Sequence, residues 1–324
     1  MCEASYNTSL SDVRDGKEER MSKGKYDLIV IGSGPTGQRA AIQAAKLGKR
    51  AIVLEKKNVV GGVCINTGAI PSKTMRETAI YLSGYRLRDI YGSAYTVKST
   101  ITMQDLLFRS DFVVTHEIDV ILHQLKRNGV EIVHGNSWFQ DPHTVIVESI
   151  DGNSHLELYA EFVLIATGTH ATRGSNIPFD GDRIFSSDDI IQMKRIPRTM
   201  VVIGAGVIGC EYASIFSTLG VQVTLIEKGQ HLLPFVDHEI SDSLVYHLRQ
   251  NRVTMRLGEE VSNVVKTMTQ DAEHIKIRLV SGKQVVADVA LYSIGRTGNT
   301  AGLHLEAAGL SANERGRTEK FNTV

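Results

Sequence analysis

The chain has 324 residues and is 42% hydrophobic, which is enough for two domains that each bury a core. Its 36 Lys and Arg residues balance 36 Asp and Glu residues, so no overall field attracts nucleic acid or an anionic membrane. No run of about 18 apolar residues occurs, which excludes a membrane-spanning helix. We therefore expect small-molecule or protein partners, with no nucleic acid and no membrane.

Cysteine usage favours a reducing compartment. The three cysteines are Cys2, Cys64 and Cys210, a set too sparse for a disulfide framework and without metal spacing. Residues 1–23 mix charges without an apolar core, so we expect a disordered leader rather than a signal or transit peptide. Met21 is an alternative start. These features predict a cytoplasmic protein.

The first predicted elements form a strand, a glycine turn and a helix. A β-branched strand over residues 26–31 enters the turn, and an alanine-rich helix follows. In such a unit Gly32 makes the tight turn, Gly34 lets the backbone approach a pyrophosphate, and Gly37 lets the helix pack on the strand. The next strand ends at Glu55, whose carboxylate can accept from ribose hydroxyls, while the helix N-terminus favours phosphate.

Residues 61–73 contain one cysteine, Cys64, with Ala69 five positions later. Cys64 follows two glycines near a predicted helix start, where a thiolate is favoured, so a nucleophile and a small packed residue are both open interpretations. Ala69 cannot form a bond to sulfur, so this segment offers Cys64 no second thiol. Lys73 ends the segment as either a surface lysine or a functional cation.

The middle of the chain predicts packing elements. Apolar residues recur at helical spacing from Asp105 to Asn128, which indicates a core-facing helix. Residues 141–161 and 273–289 alternate in polarity and predict hairpins. The eleven histidines lack ligand spacing, so no metal site is expected.

The nucleotide pattern then recurs. A strand over residues 200–203 enters a glycine turn and a helix, and a strand over residues 221–226 ends at Glu227. The glycines of this turn are Gly204, Gly206 and Gly209. One such motif is a weak signal, but two in full context predict that the chain holds two dinucleotides. Glu227 favours the 2′-hydroxyl of NAD, whereas Lys228 could meet the 2′-phosphate of NADP.

The run from Tyr26 to Thr323 resembles the flavin-dependent pyridine nucleotide-disulfide oxidoreductases, in particular the branch without a redox disulfide. The segments that carry the resemblance are residues 32–41, the surroundings of Cys64, residues 206–214 and residues 295–300. It implies an α/β fold with two Rossmann-like three-layer domains, the second inserted in the first. The implied division is residues 24–170 for the first part of the FAD domain, 171–296 for the NAD(P) domain, and 297–324 for the return toward the FAD domain.

The resemblance also implies roles for individual residues. Lys73 matches a lysine beside the reactive edge of the flavin, Glu211 matches the carboxylate that pairs with it, and Cys64 belongs to the same catalytic group. The plain alternative for Glu211 is a helix N-terminal acid favoured by the dipole. The expected cofactor-binding residues are Gly32, Gly34, Pro35, Thr36, Gly37, Glu55, Lys56, Gly62, Cys64, Lys73, Thr167, Gly168, Gly204, Gly206, Val207, Ile208, Gly209, Glu211, Glu227, Gly295 and Arg296.

The implied activity is hydride transfer from NADPH to FAD and on to NAD, with ping-pong kinetics. FAD is the expected cofactor, and NAD(H) and NADP(H) are the expected substrates. The alternatives are a dihydrolipoamide dehydrogenase-like flavoprotein, an NADH oxidase-like one in which Cys64 passes through a sulfenic acid, and an inactive NAD-binding fragment.

Family members continue past the position of Val324 into the segment that completes the FAD site and then into a C-terminal dimerisation domain. We therefore expect a truncated chain, with the family homodimer only where that domain is present.

Overall fold

The computed structural model describes residues 24–92, 94–269 and 272–318. The expected leader, residues 1–23, lies outside the described residues. Contacts divide the described chain into two compact units. The first unit consists of residues 24–66, 115–170 and 297–318, and the second unit consists of residues 67–114 and 171–296.

Strands and helices alternate along much of the chain. The strands are β1 (Gly24–Ile31), β2 (Ala51–Glu55), β3 (Glu131–Phe139), β4 (Thr144–Ser149), β5 (His155–Ile165), β6 (Thr169–Ala171), β7 (Ile184–Ser186), β8 (Thr199–Ile203), β9 (Gln222–Glu227), β10 (Thr254–Leu257), β11 (Val261–Thr269), β12 (Ala272–Leu279), β13 (Gln284–Ala287), β14 (Val289–Tyr292) and β15 (Arg296–Gly298). The α-helices are α1 (Pro35–Lys46), α2 (Gly62–Asn66), α3 (Ala69–Leu82), α4 (Arg88–Tyr91), α5 (Met103–Arg127), α6 (Val207–Thr218) and α7 (His238–Gln250).

The first unit is built on the parallel strand order β3-β2-β1-β5. Val, Ile and Leu fill residues 28–31 of β1, 52–54 of β2 and 163–165 of β5, as expected for strands inside a parallel sheet. Strand β4 pairs antiparallel with β3 and with β5, so the five strand pairs form a closed ring. The hairpin predicted over residues 141–161 is confirmed by β4 and β5.

The second unit is built on the five-stranded parallel order β10-β9-β8-β14-β7. Strands β11, β12 and β13 form a separate antiparallel sheet, and its β12–β13 pair confirms the second predicted hairpin. In both units a strand, a glycine turn and a helix precede the neighbouring parallel strand. The predicted α/β class with two Rossmann-like units is confirmed.

Packing assigns one segment differently from the sequence-based division. Residues 67–114 were expected with the first nucleotide unit, but they belong to the second. The physical reason is a shared core: Met75 on α3 and Leu106 on α5 lie in the same buried cluster as Phe185 and Phe216. The assignment of FAD and NAD(P) to the two units stays a prediction.

Helix α5 follows the predicted helical pattern, although it begins at Met103 rather than Asp105. Leu106, Ile121 and Leu125 are buried, as the apolar spacing predicts. None of the described helices has both the length and the apolar character needed to cross a membrane.

Candidate functional site

The first glycine turn joins β1 to α1. Gly32 has a φ of +112°, and a Cβ there would lie 2.3 Å from the carbonyl oxygen of Ala166, so only glycine fits. A Cβ on Gly37 would lie 2.0 Å from the carbonyl oxygen of Gly32. By contrast, no described atom lies within 4 Å of a Cβ built on Gly34. The space beside Gly34 is therefore open, as the approach of a phosphate to this backbone requires.

The second glycine turn, between β8 and α6, repeats these surroundings. A Cβ on Gly204 would lie 2.7 Å from the carbonyl oxygen of Ser293, and one on Gly209 would lie 1.9 Å from that of Gly204. A Cβ on Gly206 would meet no described atom within 4 Å. Each unit thus presents one open glycine between two that are packed closely.

Both helices that follow the turns begin without a capping side chain among the described residues. Helix α1 begins at Pro35 after Gly34, and α6 begins at Val207 after Gly206. The first N–H groups of a helix have no intrahelical acceptor, and Pro35 occupies the position where a missing N–H matters least. Such helix ends attract phosphate, so the turns and helices of both units fit a dinucleotide.

Glu55 ends β2 as a buried carboxylate. The backbone N–H of Ser33 donates to its Oε2 at 3.1 Å, the Ser33 hydroxyl donates to the same oxygen, and the N–H of Lys57 donates to Oε1 at 2.9 Å. The Ser33 Oγ also accepts from the N–H of Gly61 at 3.1 Å. Glu55 is thus fixed within the turn, and Oε1 retains acceptor capacity for a ribose hydroxyl.

Glu227 has the corresponding place at the end of β9. The N–H of Ala205 donates to its Oε2 at 2.6 Å, and the N–H of Gly229 donates to its Oε1 at 2.9 Å. Because Ala205 stands where the first unit has Ser33, each oxygen of Glu227 accepts only one of these bonds. This half-buried carboxylate therefore has more capacity left for a ribose than Glu55 has.

Within the second unit, Lys73 on α3 and Glu211 on α6 form an ion pair. The hydroxyl of Ser72 also donates to Glu211 Oε1 at 3.1 Å. The Lys73 side chain is 66% exposed, whereas that of Glu211 is 14% exposed. A fixed carboxylate thus holds an ammonium that stays accessible. The structure brings the two residues together, and their catalytic roles stay predictions.

The two described cysteines are free thiols in different surroundings. Cys64 lies half-buried on α2, and Ala69 begins the next helix. Cys210 is buried, and its thiol donates to the carbonyl oxygen of Ala205 at 3.4 Å. Burial, with a smaller effect of Glu227, raises the pKa of Cys210 to about 11. Cys210 therefore stays protonated as a buried thiol.

Further predicted residues of the first unit lie near its glycine turn. A Cβ on Gly62 would lie 3.1 Å from the Cα of Gly34, and Thr167 Cα would lie 3.2 Å from a Cβ on Gly32. Asn299 stabilises this region, because its side-chain amide donates to the Thr167 carbonyl at 2.9 Å and its N–H donates to the Gly168 carbonyl at 3.0 Å.

Arg296, predicted to contact a cofactor, forms a bidentate ion pair within the second unit. Its guanidinium nitrogens lie 2.8 and 3.4 Å from the carboxylate oxygens of Asp188. Asp188 also accepts from the N–H of Ala171 at 2.8 Å. Arg296 thus has a structural partner that the motif did not indicate, and its contact with a cofactor stays a prediction.

No sequence motif assigns a role to Tyr212. Its side chain is 2% exposed, and its hydroxyl has no hydrogen-bond partner among the described residues. Burial, helped by the negative charges of Glu211 and Asp188, raises the pKa of Tyr212 far above its usual value. The described residues contain no group of three His, Cys, Asp or Glu side chains that could hold a metal ion.

Comparison with known proteins identifies related sequences. The family model described as pyridine nucleotide-disulphide oxidoreductase matches residues 26–321. A protein named soluble pyridine nucleotide transhydrogenase from Mycobacterium tuberculosis is 46% identical over 306 residues, which are 92% of this chain and 64% of that protein. One of the same name from Colwellia psychrerythraea is 41% identical over 292 residues, which are 90% of this chain and 61% of that protein. The chain thus spans just under two thirds of their length.

Solved structures share the fold. The HOCl-induced flavoprotein disulfide reductase RclA from Escherichia coli is 28% identical, with a TM-score of 0.76 and coverage of 91% of this chain and 62% of that chain. LpdA from Mycobacterium tuberculosis is 24% identical, with a TM-score of 0.81 and coverage of 90% and 63%. At that identity, LpdA is similar in fold alone.

Proposed function

Because the chain belongs to the pyridine nucleotide-disulphide oxidoreductase family, we propose that it serves hydride transfer between NADPH and NAD through bound FAD. Two dinucleotide turns together with a cysteine that has Ala69 in place of a disulfide partner carry this proposal. Relatives named soluble pyridine nucleotide transhydrogenase support it. The proposed reaction is Si-specific and takes place in the cytoplasm, and a homodimer is proposed only for a chain that carries the family's C-terminal domain.

In this proposal some residues bind the nucleotides and others supply charge. FAD, when bound, would supply the chemistry of hydride transfer between nicotinamide nucleotides. The turns at Gly34 and Gly206 bind pyrophosphate through helix N-termini, and Glu227 accepts from the ribose hydroxyls of the nicotinamide nucleotide. Lys73, held by Glu211, would supply positive charge to that chemistry.

The experiment that tests the proposal is a visible absorption spectrum of the 324-residue chain with added FAD, recorded before and after anaerobic NADPH and then with a thionicotinamide analogue of NAD. We expect the flavin band to bleach with NADPH and to recover as the analogue is reduced. The Lys73→Gln variant should slow both steps, whereas Lys194→Gln, which removes an exposed lysine of the same unit, should not.

Other results would support the alternatives. A protein that gains no flavin band but still binds NADH would indicate an NAD-binding fragment. A flavin that NADH reduces and oxygen reoxidises, with loss of this cycle in Cys64→Ser, would indicate an NADH oxidase. Reduction of a disulfide substrate would contradict the argument from Ala69.

A further inference from the structure

The loops after β9 and β10 in the second unit are joined through their backbones. The N–H of Glu259 donates to the carbonyl oxygen of Glu227 at 3.0 Å, and the N–H of Gly258 donates to that of Gly229 at 3.0 Å. The two strands are parallel neighbours, so both loops lie at the carboxyl edge of the sheet. In Rossmann-like units this edge receives the adenosine ribose, beside the acid that ends the second strand.

Two ion pairs lie at this edge, and the pair of Lys228 with Glu260 is the more exposed of the two. Lys228 Nζ lies 2.9 Å from Glu260 Oε1, with side chains that are 73% and 48% exposed. Lys283 Nζ lies 2.6 Å from Glu259 Oε1, and this contact lowers the pKa of Glu259. The N–H of Val280 donates to the carbonyl oxygen of Glu260 at 2.8 Å, which fixes the backbone of Glu260. Lys228 is thus the cation next to Glu227, and its partner is anchored by another strand connection.

The two nicotinamide nucleotides make opposite demands on this arrangement. The ribose 2′-hydroxyl of NAD donates to an acid, and Glu227 meets that need with Lys228 still paired. The 2′-phosphate of NADP brings about two negative charges beside Glu227 and Glu260, so it requires a cation. An exposed ion pair changes an equilibrium by about fivefold at most, so Lys228 can leave Glu260 at little expense.

We propose that Lys228 and Glu260 form a specificity switch at the 2′ position of the adenosine ribose. Glu260 holds Lys228 while NAD(H) is bound and releases it to the phosphate when NADP(H) is bound. Glu260 is the residue that sets the balance, because it competes with the phosphate for the same ammonium. This inference rests on the proposed function, and it describes how one site serves both nucleotides.

Calorimetric titration of the 324-residue chain tests the switch without any flavin chemistry. The probes are NADH, NADPH, and the fragments AMP and adenosine 2′,5′-bisphosphate. Lys228→Gln should weaken NADPH and the bisphosphate about tenfold and change NADH and AMP less than about twofold. Glu260→Gln should tighten NADPH about threefold, because the competing carboxylate is gone.

The matched control is Lys283→Gln, which removes the same charge from the neighbouring ion pair. It should change the ratio of the NADPH and NADH dissociation constants less than about twofold. A Lys228→Gln variant that weakens both nucleotides equally, or a Glu260→Gln variant that leaves their ratio unchanged, would overturn the switch.

The two proposals fail in distinguishable ways. Wild-type protein that binds neither nucleotide would overturn the switch and the proposed function together. Binding of both nucleotides, with the ratio moved as expected but no hydride transfer, would overturn the proposed function alone.

Discussion

The three glycines of each nucleotide turn have different surroundings. A methyl group on Gly37 or Gly209 would clash with a carbonyl oxygen at 2.0 or 1.9 Å. A methyl group on Gly34 or Gly206 would have no described atom within 4 Å. The first pair therefore serves the packing of a helix on a strand. The second pair leaves room for a ligand.

A buried hydroxyl without a partner makes Tyr212 a site where a small change should stabilise the protein. We predict that Tyr212→Phe raises the free energy of unfolding by about 1 kcal/mol, because an unpaired buried polar group carries an uncompensated desolvation penalty. The ring contact with Phe216 is retained, since the two rings lie 6.4 Å apart and the substitution keeps the ring. Urea denaturation measures the difference.

The control for this prediction is Tyr246→Phe, which removes a hydroxyl from an exposed side chain of the same unit. It should leave the free energy of unfolding within about 0.5 kcal/mol of wild type. Equal effects of the two substitutions, or a loss of stability in Tyr212→Phe, would show that the Tyr212 hydroxyl is satisfied by a group such as bound water.

The motif residues could be predicted from the sequence, but the residues that hold them in place by hydrogen bonds could not. The strand, turn and helix pattern identified the glycines, Glu55 and Glu227, since the pattern itself fixes their positions. The motif does not specify the residue type at the positions of Ser33 and Asn299. Their importance comes from bonds to residues distant in the chain, which periodicity and spacing do not reveal.

Among the elements, α5 shows how a local signal sets a boundary. Asp105 and Thr102 bond reciprocally: the N–H of Thr102 donates to Asp105 Oδ2 at 2.8 Å, and the N–H of Asp105 donates to Thr102 Oγ1 at 3.2 Å. This is a capping box, and it begins the helix at Met103, two residues before the predicted start. The pattern Thr-x-x-Asp was present in the sequence and could have given the boundary.

The capping box makes a stability prediction that depends on pH. The ion pair with Lys98 and the bonds from Thr102 lower the pKa of Asp105 from 3.8 to about 2. Because the folded pKa is depressed, the stabilisation is fully present above pH 3.8 and is lost as the pH falls through about 2. We predict that Asp105→Asn lowers the melting temperature near neutral pH and that its difference from wild type disappears near pH 2.

Thermal unfolding followed by circular dichroism over that pH range measures this effect. The control is Asp111→Asn, which removes an exposed carboxylate from the same helix outside its first turn. A difference between Asp105→Asn and wild type that stays constant with pH would show that the box acts through hydrogen bonds alone.

For the whole molecule, the sequence predicted two nucleotide units but not which core each helix joins. Helical spacing identifies the apolar face of α5, but it does not indicate which surface covers that face. The structure places Met75, Met103 and Leu106 in the core of the second unit, so residues 67–114 leave the unit that precedes them in the chain. Only three-dimensional packing could decide this.

The repetition of one turn in two separate units predicts that the two nucleotide sites respond independently to substitution. Alanine at Gly34 or at Gly206 places a methyl group in space that no described atom occupies within 4 Å, so the unliganded protein should keep its melting temperature. The same methyl group would occupy the space that a pyrophosphate needs. With the proposed assignment of FAD to the first unit and NADH to the second, Gly34→Ala should lose stabilisation by FAD and keep stabilisation by NADH, and Gly206→Ala should do the reverse. In wild type a ligand at about 100 times its dissociation constant adds about 2.7 kcal/mol, which melting curves resolve readily. A single substitution that abolishes both responses would contradict the independence of the sites.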